Sequence, residues 1–132
     1  MNKVVVRYAD GRIIKGVTAD FFPNKDVFHV ADPSAPMGST PTEVNKAELK
    51  ALFFVKDYDG DPSYSERKEF AGTPVGRAIR VVFNDGEVLV GTTTGYQPGR
   101  PGFFVEPADP QSNNERAYVV TAATREVGFL DG

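Results

Sequence analysis

Apolar and polar residues alternate along this chain in short runs with a period of two. In "VVVRY", Val4, Val6 and Tyr8 fall on one face of an extended segment while Val5 and Arg7 fall on the other. "IRVVF" repeats the pattern with Ile79, Val81 and Phe83. Each run meets an Asp-Gly pair, Asp10-Gly11 or Asp85-Gly86, and then a second apolar run through a glycine, Gly16 or Gly91. Asp-Gly between alternating runs predicts a hairpin, here with a type I′ turn. A glycine inside the second strand predicts a bend or a close backbone approach.

These coincidences share one offset. Sliding the chain by 75 residues pairs Phe21 with Tyr96, Pro23 with Pro98, Phe28 with Phe103 and Val30 with Val105. The connecting loops then diverge, and the same offset returns at Leu52/Val127, Phe54/Phe129 and Val55/Leu130. Self-similarity at a fixed offset marks a repeated structural unit. The expected organisation is a first five-stranded unit over 1–56, a linker over 57–76 and a second unit over 77–132.

One segment is ambiguous. "TEVNKAELKALFFV" has Val44, Ala47 and Ala51 near helical spacing, whereas its counterpart "AYVVTAATREVGFL" is rich in β-branched residues. One structure must suit both copies, which predicts a strand, a single helical turn near Lys46–Leu49, and a last strand "ALFFV". In "DFFPN" and "ALFFV", adjacent phenylalanines must point to opposite faces. Phe22 and either Phe53 or Phe54 therefore need cover from outside their own unit. A contact between the two units supplies it most economically, and a homo-oligomer through exposed aromatics is the next reading.

The residues "VVVRYADGRIIKGVTADFFPNKDVFHV" place a strand, Asp10-Gly11 and Gly16 as in the first motif of Sm-like proteins, so each unit resembles the Sm-like (SH3-like) small β-barrel. The resemblance implies an all-β fold of two tandem five-stranded barrels. "LKALFFVKDYDGDPSYSERKEF" also resembles uncharacterised bacterial proteins, some attached to signalling modules. RNA-binding Sm proteins use an Arg-Gly-x-Asn segment before the last strand; "NKAELKALFFV" and "AATREVGFL" lack it, so uridine recognition does not carry over. Asp20 and Asn24 lie where a base-reading loop would fall and equally suit ordinary turns. A PilZ-type cyclic-dinucleotide site needs an Arg-x-x-x-Arg entry and an Asp/Asn-x-Ser-x-x-Gly strand, and "GRAIRVVF" with "TTTGYQPG" supplies neither.

Composition narrows the chemistry. Of 132 residues, 40% are hydrophobic and 11% aromatic, enough for a core. Net charge is −3, against broad nucleic-acid affinity. Residues 1–56 are mildly basic, with eight Lys/Arg against six Asp/Glu. Cysteine is absent, which removes disulfides and thiolate chemistry. No signal peptide or bilayer-spanning apolar run is visible, so a cytoplasmic protein without a membrane role is expected.

Candidate chemistry is sparse. Asp57, Asp59 and Asp61 alternate like the start of a calcium loop, but Pro62 and Lys68 occupy the positions that require Gly and Glu. His29, the single histidine, reads as structural, and no zinc spacing or Gly-x-Ser-x-Gly elbow is present. In "GYQPGRPGFF", Arg100 stands among aromatics and could grip a phosphate or carboxylate. The expectation is a non-catalytic binding or adaptor module, bacterial and regulatory, without cofactor or metal. It would take a protein or small ligand near the junction of the units through Arg100, Tyr96, Phe22 and Asn24. An Sm-like nucleic-acid binder and a small-ligand or cyclic-nucleotide sensor are the alternatives.

Overall fold

The computed structural model describes residues 2–58, 76–109 and 111–130. The linker core and the calcium-like aspartates Asp59 and Asp61 lie outside these residues. The described residues are all-β, with strands β1 (Asn2–Tyr8), β2 (Ile13–Thr18), β3 (Val27–Val30), β4 (Thr42–Asn45) and β5 (Leu49–Val55) in the first half. The second half holds β6 (Arg77–Phe83), β7 (Val88–Thr93), β8 (Gly102–Pro107), β9 (Asn114–Val120) and β10 (Thr124–Phe129). A single 3₁₀ turn joins β4 to β5 at Lys46–Glu48, and another joins β9 to β10 at Thr121–Ala123. The ambiguous segment is thus strand, turn, strand in both halves. Strands β1, β2 and β3 begin 75 residues before β6, β7 and β8, and the 3₁₀ turns keep the same spacing.

The hairpin turns differ in type from the sequence expectation. Gly11 and Gly86 have φ of 98° and 93°, but among the described residues no non-glycine has positive φ, so Asp10 and Asp85 do not form a type I′ turn. Instead Gly11 N donates to the Tyr8 carbonyl and Tyr8 N to that of Arg12; Gly86, Phe83 and Glu87 repeat this. This is a type I turn closed by a left-handed glycine, which spares aspartate the unfavourable conformation. At Gly16 and Gly91 a Cβ would fall 2.4 Å from the Ala31 carbonyl oxygen and 2.0 Å from that of Glu106. The missing side chain therefore lets β2 and β7 approach the chain crossing them.

In place of two separate closed barrels, eight strands form one open sheet in the order β10-β6-β7-β8-β9-β5-β1-β2, beside a two-stranded ribbon β3-β4. The halves join where β5 pairs antiparallel with β9, Leu52 opposite Tyr118 and Phe53 opposite Ala117. A 3₁₀ turn separates β4 from β5, and β2 is joined to the β3 segment by a bridge between Val17 and Ala31.

Because β5 lies between β1 and β9, all seven of its residues are buried. Its alternation feeds two cores. Leu52 and Phe54 join Val4, Val6, Phe28 and Val44, whereas Ala51, Phe53 and Val55 join Ile79, Val81, Phe83 and Val105 of the second half. The return contribution comes from Tyr118 and Val120 of β9, which sit in the first core. Phe103 and Phe104 divide in the same way, one ring to each core. Phe53 thus finds cover inside the chain, while Phe22 stays 47% exposed.

Candidate binding cleft

The β2–β3 loop, the first 3₁₀ turn and the second half's strands meet around Lys46. The turn is built locally: the Asn45 side chain accepts from Ala47 N at 3.0 Å, capping the first free amide of the turn. Lys46 N donates to the Asp26 carbonyl at 2.9 Å, fixing the turn to the end of the β2–β3 loop. The side chain is thereby directed beneath the loop, and Lys46 is only 8% exposed.

Its ammonium lies 4.5 Å from the ring centroid of Phe21 and 5.3 Å from that of Tyr118, and donates to the Phe22 carbonyl. Aromatic faces attract a cation but accept no full hydrogen bond. Burial pushes the Lys46 pKa below its ordinary value, opposed in part by the Asp26 carboxylate. Burial likewise pushes the Tyr118 hydroxyl up, so it remains protonated over a wider range than a solvated tyrosine.

Above the lysine opens a cavity of about 320 Å³ lined by Pro23, Lys25, Asp26, Asn45, Ala47 and, from the second half, Pro101, Tyr118 and Val120. Its volume is at the small end of the range for ligand sites. Among the described residues neither Lys25 nor Lys46 forms an ion pair, and Asp26 makes none either. A second cavity, of about 260 Å³, includes Arg7, Ile13, Phe53 and Glu87. There Arg7 and Glu87 satisfy each other at 2.8 Å, so the first cleft has the less committed charge.

The sequence-predicted site residues are dispersed. Arg100 Nε is tied to Gln97 Oε1 at 2.9 Å within its own loop, and its carbonyl accepts from Thr121 Oγ1. Tyr96 packs edge-on to Phe103 and Phe129 in the second core. Phe22 lies beneath Lys25, 5.1 Å from its ammonium, and serves the cleft through its carbonyl. Asn24 is exposed in the loop turn. None of the four lines the cleft, but Pro23, Lys25 and Pro101 beside them do. Asp20 accepts from His29 N and sits 2.6 Å from its Nδ1, a pair at the loop's base. Among the described residues no His, Cys, Asp and Glu cluster could hold a metal ion, and no helix is long and apolar enough to cross a membrane.

Sequence reasoning missed Lys46, Asn45 and Tyr118. The available signal was a difference at the 75-residue offset: Lys46 stands opposite Thr121, and Tyr118 opposite Glu43.

Fold and cleft together define an all-β protein with a ligand-sized recess between its halves. The chain belongs to a family of unknown function, DUF6982, which it matches over residues 1–131. No curated protein matches it, and no solved structure does.

Proposed function

We propose that this chain is a non-catalytic binding module, assembled from two copies of one Sm-like unit, that holds a small ligand in the Lys46 cleft. The observation that carries the reading is a recess with walls from both halves and a lysine only 8% exposed in its lining. A charged group so placed is disfavoured unless something offsets its desolvation, and ligand sites are where such groups collect. The duplication finds support in the equal spacing of strands and 3₁₀ turns. It also fits the matched hydrogen bonds at Asp10-Gly11 and Asp85-Gly86.

The test is an NMR fragment screen on ¹⁵N-labelled protein. Hits are expected to perturb the amides of Lys25, Asp26, Asn45, Ala47 and Val120 together. Hits clustering on another surface would refute the cleft as the site. A fluorescence-anisotropy titration with labelled oligouridylate at two salt concentrations examines the nucleic-acid alternative. Salt-sensitive micromolar binding there would replace the small-ligand reading.

A further inference from the structure

Resting on the reading of the cleft as the binding site, we propose that it takes a small organic monocarboxylate with a flat apolar body, its carboxylate docked on the Lys46 ammonium. The first support is hydrogen-bond accounting. A lysine ammonium has three N–H donors, and among the described residues only the Phe22 carbonyl accepts from this one. The remaining donors sit on a residue 8% exposed, between two aromatic faces. Buried polar groups in proteins are almost always hydrogen-bonded, so a ligand oxygen is the natural completion.

The second support is charge. The lining has Lys25 and Lys46 against Asp26, a surplus of one positive charge on a chain whose net charge is −3. A monoanion neutralises that surplus. A dianion would put excess negative charge beside Asp26, and a cation would face Lys46 across a partly desolvated gap.

Two further side chains of the lining, Asn45 and Tyr118, can donate. The Asn45 carbonyl oxygen is committed to Ala47 N, which leaves its amide hydrogens for a ligand. The Tyr118 hydroxyl, a phenol protonated at neutral pH, also lines the recess. Pro23, Ala47, Pro101 and Val120 offer apolar walls with nothing to hydrogen-bond, suited to a ring or a short hydrocarbon body.

Benzoate, benzamide and benzamidinium share one shape and carry charges of −1, 0 and +1, so titrating all three isolates charge. With ¹⁵N-labelled protein and ¹³C-labelled lysine, benzoate is expected to shift the Lys46 side chain and the Asp26, Asn45 and Ala47 amides. Its affinity should exceed that of benzamide at least tenfold, with benzamidinium weaker still. In Lys46→Met the preference for benzoate over benzamide should vanish, while the amide spectrum away from the cleft stays that of the parent. Benzamide or benzamidinium binding as tightly as benzoate overturns the carboxylate assignment and leaves the cleft standing as a site. Benzoate binding undiminished in Lys46→Met, or no response to any of the three, also overturns the assignment. Fragments that gather elsewhere on the protein remove the site itself.

Discussion

Lys50 Nζ lies 2.7 Å from Asp85 Oδ2, joining the strand that ends the first half to the hairpin turn of the second. The lysine also donates to Glu87, which Arg7 of β1 holds at 2.8 Å, and its ammonium sits 4.8 Å from the Phe83 ring centroid. Side-chain exposure is 6% for Lys50 but 53% for Asp85. The network is therefore buried at its cation and wet at its acids. It orients the second hairpin against β5, which is the strand that fills both cores.

Removing the cation leaves Asp85 and Glu87 facing water, where screening softens their repulsion. Lys50→Met keeps the apolar stem and is expected to lose about 1 kcal/mol. Asp85→Asn should lose no more than that. Lys50's hydrogen bond is the main reason the Asp85 carboxyl titrates below its ordinary 3.8. A carboxylate with a lowered folded pKa contributes stability above its unfolded pKa and loses it as pH falls through the folded one. The gap between parent and Asp85→Asn should thus be full at neutral pH and closed in strong acid. Urea denaturation at several pH values measures it, and a gap that widens in acid contradicts the account.

Phe53 belongs to the first half by sequence and to the second half's core by packing. Phe53→Ala should cost about 3–4 kcal/mol, the range for a buried ring in a close-packed core. Phe22→Ala, at a residue 47% exposed, should change stability by less than about 0.5–1 kcal/mol. Hydrogen exchange adds a sharper reading: Phe53→Ala should speed exchange in β6 and β8 as well as in β5. An effect confined to β1–β5 would mean the cores are not shared as described.

At Gly16 and Gly91 the atoms nearest a new Cβ are backbone carbonyl oxygens, which cannot rotate aside like a side chain. Alanine at either position must push apart β2 from Ala31, or β7 from β8. Each substitution is expected to lower stability by about 2–3 kcal/mol, in the range of an overpacked core. The loss at Gly91 should be the greater, because its carbonyl contact is the shorter and two ladder pairs depend on it. Thermal unfolding of the two variants side by side decides the ranking.

Strands and the positions of the hairpin turns were legible because they depend on local chemistry: period-two alternation, Asp-Gly, and a glycine within an apolar run. The 3₁₀ turn at Lys46–Glu48 became readable only by comparing "NKAELK" with "VTAATR", since β-branched residues in the later segment vetoed a helix in the earlier one. The turn type was misjudged because Asp-Gly serves both a type I′ turn and a type I turn closed by glycine; only backbone φ separates them. The β5–β9 ladder was not legible, because apolar strands of similar length do not name their partners. The cleft followed that ladder out of sight. Lys46 and Tyr118 are distant in sequence, and pairing Leu52 with Tyr118 is what brings them together. The sequence drew attention to Arg100 and Phe22 because they look exposed and interactive, whereas the cleft relies on a lysine that looks like one more surface charge.

That lysine gives the most discriminating expectation, because structural and ligand-binding roles predict opposite signs. A lysine kept for stability would make Lys46→Met destabilising. A lysine kept for a ligand bears an uncompensated desolvation cost, relieved only in part by Phe21, Tyr118 and the Phe22 carbonyl. Methionine fills the same channel without charge, so Lys46→Met should be neutral or up to about 1 kcal/mol more stable near pH 7. The pH dependence follows from the lowered pKa. Between the folded value and the ordinary 10.5 the unfolded chain holds the proton more often, so this residue makes parent stability rise with pH across that window. Below it, the cost of the buried ammonium is constant. Tyr118, raised by burial, acts oppositely above its own ordinary range, but it is present in both proteins and largely cancels from their difference. Any stability advantage of Lys46→Met should therefore shrink as pH climbs through the lowered Lys46 pKa toward the ordinary 10.5, followed by urea denaturation of both proteins. A variant markedly less stable than the parent at neutral pH would instead make Lys46 a structural residue.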